Sequence, residues 1–154
     1  MLDRNKWAQY GFERADADIQ GICFHETGNT EMNAQDLFNY LNEESKTSNG
    51  CHYLCDANET IQVMPLDWAV YHTGKGLDWG NKHTVAIEIC SSLSDDDYNS
   101  AQARAIALAK DIMQEYGITD DFVFFHNTFD DRMYCPKTIL DRYSNVKRFI
   151  MEEF

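Results

Sequence analysis

Two short apolar runs in this 154-residue chain each stop on a histidine: Gly-Ile-Cys-Phe-His at 21–25 and Phe-Val-Phe-Phe-His at 122–126. Runs of this length read as buried strands, and the turn sequence ETGNT follows the first of them. A fold that holds both must carry its histidines at strand ends, where loops and ligands meet. A third run, TVAIEIC at 84–90, alternates Val85, Ile87 and Ile89 against Ala86 and Glu88. Period-two alternation places Glu88 on the face opposite the isoleucines.

Helical spacing separates these strands. From Asn33 to Glu44, Leu37, Phe38, Tyr40 and Leu41 recur on one side, with Asn33 as N-cap and KTSNG at 46–50 as the stop. Ser94 and three aspartates start a longer helix, whose apolar stripe of Ala101, Ile106, Ala109, Ile112 and Met113 runs to Gly117. His52 to Asp56 and Thr60 to Met64 read as a hairpin around Ala57, Asn58 and Glu59. After Cys135 and Pro136, Ile139, Leu140, Val146, Phe149 and Ile150 mark one or two further helical stretches. Strands interleaved with helices predict an α/β fold, a mixed central sheet flanked by helices. With 44% apolar residues and no Gly/Ser or Pro run between two halves, residues 1–154 are expected to be a single domain around one core.

The formal net charge of −13 argues against nucleic acid and against an anionic membrane surface as partners, since both need clustered Lys and Arg. The first residues are charged from Asp3 onward and lack the apolar stretch of a signal peptide; nowhere do eighteen apolar residues run together. Synthesis in the cytoplasm without membrane insertion is the expectation. Five cysteines, Cys23, Cys51, Cys55, Cys90 and Cys135, are an odd number without a close CxxC pair, which argues against a disulfide framework.

His25, His126 and Cys135, nine positions after the second histidine, offer three borderline or soft donors. Catalytic zinc takes three protein ligands and leaves a fourth position to water, so the number fits. Taken singly, each histidine is equally readable as a capped core residue and Cys135 as a small buried hydrophobe.

Five segments in order resemble the type 2 N-acetylmuramoyl-L-alanine amidases, the family that includes amidase-type phage lysozymes and the peptidoglycan recognition proteins. They are ICFHETGNT, CHYLCDANETIQVMP, VYHTGKG, NKHTVAIEIC and FFHNTFDDRMYCP, spanning about residues 20 to 140. The resemblance implies the corresponding fold and Zn2+ on His25, His126 and Cys135. It also implies Glu88 as the group that takes a proton from water and passes it to the leaving amine, and His72 as a substrate contact beside the metal. Tyr53 is a further candidate for lining a sugar-peptide cleft. Many members place a lysine or threonine two residues before the last ligand. This chain has Met133 there, so Arg132, one step earlier, is the candidate to stabilise the oxyanion.

The implied activity is hydrolysis of the amide between N-acetylmuramic acid and L-alanine in peptidoglycan, as in a phage endolysin that acts on the wall after release. The alternative is a peptidoglycan-binding module of the same fold that has lost catalysis; members of that kind lack the cysteine ligand. A thiol hydrolase using Cys23 or Cys135 fits less well, because Cys23 lies inside an apolar strand rather than at a helix N-terminus.

Overall fold

The computed structural model describes residues 1–15, 18–43, 47–74 and 76–154. The expected helix end at Glu44, the Lys46 of the stop sequence and Lys75 lie outside them.

The centre is a five-stranded sheet of β2 (Gly21–Glu26), β3 (Tyr53–Cys55), β4 (Thr60–Gln62), β6 (Thr84–Ile89) and β7 (Val123–Phe125), in the order β4-β3-β6-β2-β7. β3, β6, β2 and β7 run parallel, and β4 pairs antiparallel with β3. Parallel strands are covered on both faces, which is why β2 is buried from Gly21 through His25. A separate antiparallel pair joins β1 (Gly11–Glu13) to β5 (Trp68–Val70), with the short helices α1 (Trp7–Tyr10) leading into β1 and α3 (Trp79–His83) beside β5.

One face of the sheet meets α4 (Asp95–Tyr116), α6 (Lys137–Tyr143) and α7 (Val146–Glu153). The core there gathers Ile22 and Phe24, Val85, Ile87 and Ile89, and Val123 and Phe125 against Tyr98, Ala105, Ala109, Leu140 and Phe149. Phe149 is fully buried, with the rings of Phe24, Phe125 and Tyr143 at 5.6, 5.5 and 5.4 Å. Burying such a ring stabilises by roughly 1.5–3 kcal/mol. The length of α4 follows from its ends. Ser94 Oγ accepts the Asp97 N–H, three aspartates sit at the positive end of the dipole, and Gly117 closes the last turn at φ 68° with its N–H on Met113 O.

The other face carries Leu54, Ala86 and Cys90 and packs on Tyr10, Val63, Met64, Val70 and the buried Ala34 and Leu41 of α2 (Ala34–Glu43). Asn33 and Asp36 cap α2 reciprocally, each side chain accepting the other's backbone N–H. Parity along β2 and β6 then decides the site. With Ile22, Phe24, Val85, Ile87 and Ile89 spent on the α4 face, Cys23, His25, Ala86 and Glu88 belong to the α2 face. No described helix is long and apolar enough to cross a membrane.

Candidate active site

Parallel register places the chemistry side by side. His25 pairs with Glu88 across β2 and β6, and Phe24 pairs with Phe125 across β2 and β7, so His126 follows immediately on the other flank. These positions are at the carboxyl ends of the parallel strands, where open α/β sheets present their crevices. The rings of His25 and His126 stand 4.6 Å apart. His126 opens a short helix, α5 (His126–Phe129), and the chain beyond it returns so that Asn127 N–H donates to Cys135 O at 3.2 Å.

Glu26, the residue after His25, anchors that returning segment. Its backbone N–H donates to Cys135 Sγ at 3.4 Å. Its carboxylate accepts from Thr138 N–H at 2.6 Å and Thr138 Oγ1 at 2.8 Å, at the start of α6, and from Ser91 Oγ at 3.0 Å. Sequence alone does not single out Glu26, because ETGNT after His25 reads as turn chemistry.

Donor atoms of His25, His126 and Cys135 all lie within 4.8 Å of one another, and so do those of Cys23, His25 and His72. The two triads share His25, and their surroundings separate them. In the second, all three residues are buried, His25 Nε2 already bonds His72 Nδ1 at 2.8 Å and Cys23 Sγ at 3.2 Å, and nothing is left open for a fourth ligand. In the first, His126 and Cys135 are half-exposed, as a catalytic metal position requires. Two imidazoles and a thiol are also a zinc donor set. Burial, with the neighbouring rings of His72 and His126, holds His25 well below the usual histidine range; burial likewise lowers His126. Both are neutral donors near pH 7.

Burial and the charges of Glu88 and Glu26 push the Cys135 thiol up to about 12, against the Glu26 N–H that favours the thiolate. Only a cation beside it would deprotonate it near neutrality. Cys23 is also raised well above the ordinary thiol range by burial, then by Cys135 and Glu88. Neither cysteine is therefore an activated nucleophile, and the thiol-hydrolase alternative loses its chemical basis.

Glu88 is the remaining reactive group. Its Oε2 is buried and has no hydrogen-bond partner among the described residues. Burial, then repulsion from Glu26, raises its carboxyl from the usual 4.5 to about 7. It lines a cavity of about 170 Å³ walled by Leu37, Leu41 and Leu54. A wider hollow of about 220 Å³ beside Asp36, Asp56 and Asp97 holds no such orphan. Asp56 there is spent on the N–H groups of Ala34, Asn58 and Glu59.

Three expectations change. Tyr53 pairs with Ile87, whereas Leu54 pairs with Glu88; Tyr53 therefore faces the α4 side and packs against that core, away from the site. His72 has both ring nitrogens engaged inside the protein, Nδ1 with His25 and Nε2 with Thr84 Oγ1 at 3.1 Å, which leaves none for substrate. Arg132 is 74% exposed and forks onto Asp130 through Nε at 2.8 Å and Nη2 at 2.6 Å; the loop does not carry it inward. Lys137 is likewise committed, to Asp141. The guanidinium stands in solvent with only the Asp130 carboxylate buried, so Arg132→Ala is expected to keep turnover within about fivefold of the unaltered protein, well short of the loss when an oxyanion donor is removed. Steady-state kinetics check this, and a loss of tenfold or more would return the guanidinium to the oxyanion.

The family profile of N-acetylmuramoyl-L-alanine amidase matches residues 15–138. The chain is 34% identical over 136 residues to the N-acetylmuramoyl-L-alanine amidase XlyB of Bacillus subtilis (strain 168), covering 86% of this chain and 42% of that protein. With CwlA of the same organism, named for the same activity, it shares 32% identity over 136 residues, 86% of this chain and 49% of that one. Among solved structures, the catalytic domain of XlyA matches with a TM-score of 0.80 at 29% identity, over 92% of each chain. The chain spans less than half the length of these two curated relatives.

Proposed function

This chain belongs to the N-acetylmuramoyl-L-alanine amidase family, and we propose that it is a zinc-dependent catalytic domain that hydrolyses the amide between N-acetylmuramic acid and L-alanine in bacterial peptidoglycan. His25, His126 and Cys135 would hold the metal. The observation that carries the reading is the register that sets His25 between Glu88 and His126, with the Cys135 thiol held beside them by Glu26.

When bound, zinc supplies Lewis acidity, which polarises a carbonyl and eases deprotonation of water. The remaining work falls to the chain's own groups. Glu88 Oε2, without a partner among the described residues and with its carboxyl raised to about 7, takes the proton from the attacking water and returns it to the nitrogen of the departing L-alanine. The apolar walls of Leu37, Leu41 and Leu54 limit water around that carboxylate, which both raises its pKa and shields the transferred proton. The cell wall would be reached as by an endolysin, with peptidoglycan as the partner.

Mass spectrometry of digested cell wall tests the reading. The expected products carry new free L-alanine amino termini without new reducing sugar ends, formation stops with a chelator, and added zinc restores it. New reducing ends would make the protein a glycosidase. Wall binding without any released product would favour the non-catalytic binding module.

A further inference from the structure

Hydrogen bonds around His25 have forced directions, and together they locate its proton. Thr84 Oγ1 lies 2.7 Å from the carbonyl oxygen of Gly80. A carbonyl only accepts, so the single hydroxyl proton of Thr84 is spent there. His72 Nε2, 3.1 Å from the same hydroxyl oxygen, must then donate to it. A neutral imidazole protonated at Nε2 has a bare Nδ1, and His72 Nδ1 lies 2.8 Å from His25 Nε2. His25 is therefore the donor in that contact, with Cys23 Sγ at 3.2 Å as a weaker second acceptor of the same proton. The reverse polarity would need Thr84 to donate to His72, leaving two oxygen lone pairs facing each other at 2.7 Å.

We propose that Gly80, Thr84 and His72 form a relay that locks His25 in its Nε2–H tautomer and so presents the Nδ1 lone pair as the metal donor. His72 is then a positioning residue, which explains why a histidine that resembles a substrate contact has no nitrogen left for substrate. The relay is built rigidly. Thr84 is fully buried, and His25 and His72 are buried beside it. The backbone N–H groups of His72 and Thr73 are both held by Asn81 Oδ1, at 2.7 and 2.8 Å, and Asn81 Nδ2 donates to Gly76 O at 2.8 Å. Partners that hold the distal N–H of a ligand histidine fix both tautomer and ring orientation, and their loss typically weakens metal binding 10- to 100-fold.

The inference rests on His25 being a metal ligand, and the test keeps the two claims apart. Long-range 1H–15N spectra of the metal-free protein should show His25 and His72 both protonated at Nε2 and bare at Nδ1. Thr84→Val keeps the shape but removes the hydroxyl. It should give mixed tautomers at His25 and bind zinc about 10- to 100-fold more weakly in chelator competition, and Thr84→Ser should restore both. His25 protonated at Nδ1 in the unaltered metal-free protein would overturn the relay, even if Thr84→Val failed to fold. Wild-type zinc affinity in a folded Thr84→Val protein would overturn it as well. Full zinc retention in His25→Ala would instead overturn the ligand reading, whatever the tautomer.

Discussion

Glu88→Gln is expected to lower turnover on peptidoglycan by roughly 10² to 10⁴, the range that a positioned general base contributes, with zinc content unchanged. The substitution keeps the side chain's shape in the cavity beside Leu37, Leu41 and Leu54 and removes only its capacity to accept and return a proton. Glu88 is not in the donor set of His25, His126 and Cys135, so metal retention and activity should separate. Steady-state kinetics paired with metal analysis check this; near-normal turnover would leave Glu88 as a buried structural carboxyl.

The same substitution has an opposite effect on folding. In the metal-free protein, burial and Glu26 raise the Glu88 carboxyl from 4.5 to about 7, so between those values the folded state holds a proton that the unfolded chain has released. Its contribution is fully present below about 4.5 and is lost as pH rises through about 7. At pH 8 the metal-free Glu88→Gln protein should be more stable than the unaltered one by on the order of 1–3 kcal/mol, with the difference vanishing near pH 4. Urea unfolding at both pH values measures it, and a pH-independent difference would contradict the cause assigned to the shift.

Local signals carried much of the fold. The alternation in TVAIEIC predicts the strand Thr84–Ile89 and the face of Glu88, and Ser94 with three aspartates and a terminal glycine predicts Asp95–Tyr116 almost to its ends. The two apolar runs ending on histidine place His25 and His126 at strand ends because a short, fully apolar run is what a parallel strand covered on both faces needs. The pairing of Gly11–Glu13 with Trp68–Val70 was not legible. Three residues offer too little periodicity, and the partners are far apart in the chain.

The places of Tyr53 and His72 are hidden from the sequence for related reasons. Whether Tyr53 or Leu54 shares a face with Glu88 depends on a register between strands that are distant in sequence, and a one-residue difference reverses the answer. His72 meets His25 across 47 positions, and nothing near Tyr71 or Thr73 announces that both its nitrogens are taken. Arg132 was legible as a cation near Cys135, but its choice of Asp130 over the site depends on how the loop between α5 and α6 folds. Glu26 was passed over because its partners Thr138 and Ser91 lie 112 and 65 positions away.

Cys135→Ala is expected to abolish both stable zinc binding and wall lysis, whereas Cys23→Ala should keep zinc. The contrast follows from the two overlapping donor triads around His25. Cys23 is wholly buried and already shares the His25 Nε2 proton with His72, while Cys135 is reachable from outside and held by the Glu26 N–H, which favours a thiolate. Removing a thiolate from a three-residue site leaves two neutral imidazoles and no compensating negative charge for the ion. The deciding measurement is the zinc dissociation constant of each variant by chelator competition. A loss of roughly 10³-fold or more is expected for Cys135→Ala, about 4 kcal/mol of the 10–16 typical of a structural zinc site, and less than a tenfold change for Cys23→Ala. The reverse pattern, with affinity lost through Cys23 and kept without Cys135, would contradict this expectation.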